Sequence, residues 1–200
     1  MRIIFAMVKP SARKAETHER IVRAAARALR KHGYEGVGVA EVMKDAGLTH
    51  GGYYSHFDSR DALLAEAADQ AGAESIESLS RAVSAAKPGE ELAALVDGYL
   101  SDRHLRAHEH GQGCAVAAAG SEVPRQSPEV RRTATRRIKD LIGLVERQMP
   151  SWGKAGSRDK AMAIVGCLVG TLLIARLVDD AELSRALRKA ARDFIRGVAG

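Results

Sequence analysis

Apolar residues recur with a helical period along most of the chain, and convincing strand alternation appears nowhere. Between Thr17 and Gly33, Ile21, Ala25, Ala28 and Leu29 follow the i, i+4, i+7, i+8 spacing of one helix face. Arg20, Arg23, Arg27 and Arg30 occupy the opposite face. Thr17 is placed to cap that helix and Gly33 to end it. A short second helix carries Val39, Val42, Met43 and Ala46 and stops at Gly47, a residue suited to a left-handed turn. Thr49 is placed to cap a third, very short segment through His56. Asp58 or Ser59 can cap a fourth helix, with Leu63, Leu64, Ala67 and Ala71 on its apolar face.

Beyond this point Lys87-Pro88-Gly89 breaks the chain. The pattern predicts a helix over 90–109, a glycine-flanked GQGC patch at 111–114 and a loop at 123–128. The next helix keeps Val130, Ala134, Ile138, Leu141, Val145 and Met149 on one face. After a break at Pro150-Ser151-Trp152-Gly153, a strongly apolar helix is expected over 158–178. A last helix lines up Leu183, Leu187, Ala190, Phe194 and Val198. The expectation is an all-α chain of about nine helices: an N-terminal three-helix unit and a larger C-terminal helical domain. An arm is read over 1–16, a first domain over 17–62 and a second over 63–200. The boundary falls within the fourth helix, so the two parts are expected to be mechanically joined.

Composition narrows the class. Only 4% of residues are aromatic, so the core must be mostly Ala, Leu, Val and Ile. The net charge is +6, and residues 1–60 hold 11 basic and 6 acidic side chains, leaving only +1 for the rest. A basic N-terminal end favours a polyanion or an anionic surface as partner. Two cysteines exclude a disulfide-dense scaffold and a four-cysteine zinc site. The opening MRIIFAMVKP has a six-residue apolar run from Ile3 to Val8, too short for a signal-peptide core, and Met7 offers an alternative start. The longest apolar run, Ala161–Ala175, falls short of the roughly 18–20 residues of a membrane span. A cytoplasmic protein with no membrane partner is expected.

The stretch 37–57, VGVAEVMKDAGLTHGGYYSHF, carries the function. Two short helices joined at Ala46-Gly47-Leu48 fit a helix-turn-helix, whose second helix enters a major groove. Thr49, His50, Tyr53, Tyr54 and His56 offer donors and acceptors to phosphates or base edges. Gly51 and Gly52 each cost about 1 kcal/mol inside a helix, which suggests close approach of backbone to DNA, or simply a loop.

Residues 17–64 resemble the DNA-binding domain of the TetR family of transcriptional regulators. Gly33-Tyr34, Ala46-Gly47-Leu48-Thr49, Tyr54-Ser55-His56-Phe57 and Ser59-Arg60-Asp61-Ala62-Leu63 match the family pattern in order and spacing. Two positions depart from it. His50 stands where Lys is frequent, and Gly38 where Ser or Thr often caps the second helix. The resemblance implies a double-stranded DNA operator as partner, contacted by Lys44, Thr49, His50, Gly51, Tyr53, Tyr54, His56 and Arg60. Tyr54 and Arg60 would grip phosphates, and His50 and Tyr53 would face base edges. Tyr53 and Phe57 also suit the core of the small domain, Phe57 especially. The resemblance further implies a homodimer whose last two helices form the interface. Ile164, Leu168, Leu172, Leu187 and Phe194 are the candidates for that interface.

In the C-terminal part, Gly-Cys at 113–114 followed by small apolar residues resembles a subgroup of the family in which some members sense electrophiles or oxidants. A thiolate there would need His, Arg or a helix N-terminus beside it, and Arg106, His108 and His110 are close in sequence. A small buried hydrophobe is the commoner role of such a cysteine. Cys167 reads as core. His104 and His108, at i, i+4, could pair on a metal, but no carboxylate spacing completes a set and no metal or cofactor is expected. Arg131, Arg132, Arg136, Arg137 and Lys139 read as a solvated helix face. A small-molecule effector of unknown identity would sit among the middle helices. Tyr99, His104, Cys114 and Trp152 are its candidate contacts, with Leu95, Leu100 and Met162 as further liners. The expected function is a repressor that leaves its palindromic operator when an effector or electrophile binds. The rivals are a thiol-dependent enzyme or sensor acting through Cys114 and a membrane-surface protein.

Overall fold

The computed structural model describes residues 12–199. Among them nine α-helices and three 3₁₀ segments follow one another, with no strand. α1 spans Ala12–His32, α2 Val39–Asp45 and α3 Arg60–Ser84, with a 3₁₀ segment at His50–Ser55 between the last two. Then come α4 (Glu91–Tyr99), α5 (Asp102–Arg106), a 3₁₀ turn at Ala107–His110, α6 (Ala115–Ala119) and a 3₁₀ turn at Gly120–Arg125. Three long helices complete the chain: α7 (Pro128–Arg147), α8 (Ser157–Leu177) and α9 (Ala181–Ala199).

Local chemistry places most of the boundaries. Gly33 and Gly47 end α1 and α2 at φ +73 and +70, in the left-handed region. The Ser59 hydroxyl caps α3 by accepting from the Ala62 N–H at 3.1 Å. Ser127, followed by Pro128, opens α7.

Three expectations are corrected. α1 already runs from Ala12, and the Thr17 hydroxyl donates to the Arg13 carbonyl at 2.8 Å instead of capping a start. The stretch read as an arm over 1–16 is therefore helical from residue 12. Residues 1–11, Met7 among them, lie outside the described residues. The single helix expected over 90–109 is broken, because Ser101 caps a new helix by accepting from the His104 N–H at 3.1 Å. The segment expected over 49–56 is a 3₁₀ coil in which Thr49 makes no side-chain cap. Two consecutive glycines give the backbone little helical bias there.

The buried residues form two clusters. The first gathers Ile21, Ala25 and Leu29 of α1, Val42 and Met43 of α2, Tyr53, Phe57, and Leu63 to Ala71 of α3. The second gathers Leu95, Tyr99, Leu144, Ile164, Leu168 and Ile195. α3 contributes to both, and packs on α1 at one end and on α4 and α7 further along. Arg136 and Arg137 are more than a solvated face: both donate to Asp69 of α3, at 2.6 and 2.7 Å. Arg131 and Arg132 are exposed.

α8 is long and apolar enough, by length and composition, to cross a membrane. In this fold one side of it is core. Ile164, Leu168 and Leu172 are fully buried within the chain, so these three do not face outward as the interface reading expected. The opposite side carries Met162, Leu173, Ile174 and Leu177, all exposed, with Gly166 and Gly170 between them. The apolar stripe of α9 also faces out: Leu183 and Phe194 are exposed and Leu187 is partly so. Ser184, Arg188, Ala191 and Ile195 form its inner side. Buried Arg188 is satisfied there by the Leu100 carbonyl (3.0 Å) and Asp102 (2.7 Å).

Candidate nucleic-acid interface and central cavity

α2 and the 3₁₀ segment form the two arms of the helix-turn-helix. The turn is held from α1, where Arg20 donates to the Ala46 carbonyl. Lys44, Thr49, His50, Gly51 and Tyr54 all lie on the exposed surface of this unit. Tyr54 is 74% exposed, the most open of the large hydrophobic side chains among the described residues. A Cβ at Gly51 would meet nothing within 4 Å, so the segment presents bare backbone outward.

Three of the expected DNA contacts are engaged elsewhere. Tyr53 is buried and its hydroxyl donates to the Ser59 carbonyl at 2.7 Å, with its ring against Phe57 at 5.6 Å. It is a packing residue, as Phe57 is. Arg60 donates to the carbonyls of Tyr34 (2.6 Å) and Val37 (3.3 Å), so its guanidinium ties α3 to the α1–α2 loop instead of reaching for a phosphate. His56 turns toward α1, its ring 5.9 Å from that of His18. Burial, then His18 and Lys14, hold its pKa below the ordinary value. His18 in turn stacks on Phe57 at 4.5 Å and meets Glu66 at 2.6 Å.

A cavity of about 680 Å³ opens between α3, α4 and the segment from α5 to α6. Tyr99, His104 and Cys114 line it, together with Ile76, Leu79 and Leu141. The other expected contact, Trp152, does not: it sits in the α7–α8 turn and is 62% exposed. Met162 is likewise exposed, while Leu95 and Leu100 are plain core. The histidine at the cavity has a defined state. Its Nδ1 lies 2.7 Å from the Tyr99 carbonyl, which only accepts, and its Nε2 lies 3.0 Å from the Cys114 N–H, which only donates. His104 is therefore the neutral Nδ1–H tautomer. Burial lowers its pKa, against the Tyr99 carbonyl bond and with help from Arg176. With both nitrogens committed, it is not free to bind a metal or to take the thiol proton. His108 meets the Leu105 carbonyl at 3.1 Å. Tyr99, buried beside the Cys114 thiol, has its pKa raised well above the usual value by burial and then by that thiol.

Sequence reasoning missed the connection between the two units. Arg30, read as a member of an exposed face, is 3% exposed. It donates to the carbonyls of Gly111 (3.1 Å) and Ala71 (2.8 Å) and to Glu74 (2.7 Å). Gly111, at φ +66, lies so close to α1 that a Cβ there would meet the Arg27 carbonyl oxygen at 2.8 Å. Arg176 donates to the carbonyls of His104 (3.0 Å) and Leu105 (2.9 Å).

A helix-turn-helix resting on a helical domain with its own cavity defines a DNA-binding regulator. The sequence pattern of the bacterial regulatory proteins of the tetR family matches residues 21–67. An uncharacterised HTH-type transcriptional regulator of Mycobacterium tuberculosis is 30% identical over 174 residues, covering 81% of this chain and 85% of that protein. Among solved structures, a TetR-family regulator from Cytophaga hutchinsonii superposes with a TM-score of 0.76 at 18% identity, covering 94% of this chain and 98% of the other. One from Chloroflexus aurantiacus gives 0.76 at 22% identity, covering 92% and 96%. Escherichia coli NemR in its reduced form gives 0.70 at 18% identity, covering 89% and 96%. The chain belongs to the TetR family of transcriptional regulators.

Proposed function

We propose that this regulator is a homodimeric repressor that binds a palindromic operator and leaves it when a small molecule occupies the cavity. The DNA-binding unit over 17–62 and the effector and dimerisation unit over 63–200 would move as two bodies joined through α3. One observation carries the reading. The loop that walls the cavity at Gln112–Cys114 is bonded to α1 through Arg30, which donates to the adjacent Gly111 carbonyl. A ligand that shifts this loop therefore acts on the helix that holds the helix-turn-helix.

The dimer rests on the outward apolar face of α8 and α9. Met162, Leu173, Ile174, Leu177, Leu183 and Phe194 are large apolar side chains left exposed on these two helices, the kind of surface that a partner commonly covers. Gly166 and Gly170 allow a partner helix to approach closely. Two-fold symmetry would set the recognition segments about 34–36 Å apart, one DNA turn. The contacts of this reading are Lys44, Thr49, His50, Gly51 and Tyr54. Selection of binding sites from a random duplex pool is expected to return an inverted repeat with that half-site spacing. Recovery of single unpaired half-sites would count against it.

A second reading, electrophile sensing in the manner of the Gly-Cys subgroup, has one specific support. Cys114 lines the cavity and lies in the field of the Arg176 guanidinium. N-ethylmaleimide would then release DNA from the wild type and not from Cys114→Ser. Equal release from both removes the cysteine from the mechanism.

A further inference from the structure

The polar groups in the cavity wall are unevenly satisfied. Arg30 makes three bonds through its two terminal nitrogens, yet its Nε–H is buried with no partner. Its side chain is 2% exposed and lines the cavity. A guanidinium stays charged at every accessible pH, and a buried donor without an acceptor is costly. The Tyr99 hydroxyl, at another point of the same wall, is also buried, with only the weakly accepting Cys114 thiol beside it. Ile76, Leu79, Val116 and Leu141 supply the apolar part of a wall that also carries Ser75, Ser78 and Glu77.

The charge around the opening is cationic once committed pairs are set aside. Arg81 is paired with Glu77, and Arg137 with Asp69 and Asp140. Arg103, also in the wall, has no ion-pair partner among the described residues. The carboxylate that now holds Arg30 is the most solvent-accessible of its three acceptors, since Ala71 and Gly111 are buried. Glu74 is 38% exposed, and the Gln70 amide donates to its other oxygen at 2.9 Å, so it keeps a partner if it lets Arg30 go.

We infer that the cavity takes an organic anion, a carboxylate on an apolar body, whose charged end replaces Glu74 on Arg30. This deepens the effector reading above and rests on it. The consequence for DNA follows from the same atoms. A guanidinium drawn toward the cavity loosens its hold on the Gly111 and Ala71 carbonyls, which dock α1 onto the C-terminal helices. Ligand charge is thereby converted into freedom of the DNA-binding unit.

The test uses the full-length protein and three matched probe pairs: octanoate, benzoate and 4-phenylbutyrate, each against its neutral amide. Binding is followed by calorimetry. At least one acid is expected to bind about tenfold or more tightly than its amide, as a charge-assisted contact gives. Arg30→Gln should erase that preference, with folding checked by circular dichroism. Glu74→Gln, at a half-exposed position, should act in the opposite sense. It removes the competing carboxylate, so acid affinity rises severalfold while amide affinity stays. Amides that bind as well as their acids would leave the cavity an effector site and overturn the anion inference. So would an acid whose affinity is unchanged in Glu74→Gln and Arg30→Gln. If no probe of either kind binds, the anion inference fails for this panel. If, in addition, a bulky Ser75→Phe in the cavity wall leaves DNA binding untouched, the effector reading fails with it.

Discussion

The carboxylate of Glu122 accepts hydrogen bonds from the backbone N–H groups of Tyr34 (2.9 Å) and Glu35 (3.2 Å), directly over Gly33. The C-terminal helices thus grip the chain at the point where α1 ends. Gly33 makes the grip possible in two ways. It adopts φ +73, and a Cβ in its place would collide with the Glu122 carboxylate. The same carboxylate, after burial, helps push the Tyr34 pKa up to about 12.

Gly33→Ala should therefore destabilise the fold by about 2 kcal/mol or more, from left-handed strain plus the displaced carboxylate. Glu122→Gln, which keeps one acceptor oxygen, should cost less. Urea unfolding of the two variants checks the order. Equal losses would mean that the charge, and not the fit over Gly33, is what matters.

The neutral His104 predicts a pH dependence. Its pKa in the folded chain lies below the ordinary 6.5, burial being the main cause. As pH falls below that value, the unfolded chain takes up the proton first. The stability tied to neutral His104 is complete above about 6.5 and is lost as pH drops through the folded-state value. His56, also lowered, adds in the same sense. Thermal melts between pH 5 and 8 should show Tm falling toward the acid end, with a shallower fall in His104→Gln. A slope unchanged in that variant would place the titration elsewhere.

The two sides of α8 should respond differently. Leu168→Ala empties fully buried volume and should cost about 2–5 kcal/mol of stability. Leu177→Arg, on the exposed face, should leave stability of the protomer nearly unchanged and shift sedimentation toward monomer. A stable Leu177→Arg dimer would move the interface off this face.

Within the helix-turn-helix, Tyr54→Phe removes one exposed hydroxyl and should weaken operator binding by roughly fivefold, about 1 kcal/mol, across sequences alike. Lys44→Ala should lower the salt slope of binding by about one. Tyr53→Phe should act through stability instead, because its hydroxyl serves the Ser59 carbonyl. Loss confined to particular base pairs in Tyr54→Phe would reassign that residue from phosphate to base contact.

Much of the fold was legible because its long helices are amphipathic or bounded by glycine, serine and proline. The C-terminal ends of α1 and α2 and the cap of α3 follow from those residues. The inside of α8 did not follow. A helix apolar on all sides carries no periodicity to distinguish core from interface, so Ile164, Leu168 and Leu172 were assigned outward when the outward residues are Leu173, Ile174 and Leu177. Arg30 was illegible for a related reason. It sits in register with exposed Arg23 and Arg27, and its burial comes from partners far along the chain, Ala71, Glu74 and Gly111, the last 81 positions away. Tyr53 and Arg60 share the chemistry of DNA contacts but spend it on nearby carbonyls, which spacing alone does not reveal.

The most direct measurement is fluorescence anisotropy of the full-length protein on labelled duplex from the region flanking its own gene, titrated over salt with nonspecific competitor. The account predicts tight binding that survives competitor, with a steep negative salt slope, and a clear loss in Tyr54→Phe and Lys44→Ala. Weak binding that competitor abolishes, at this and at operators recovered by selection, would contradict it.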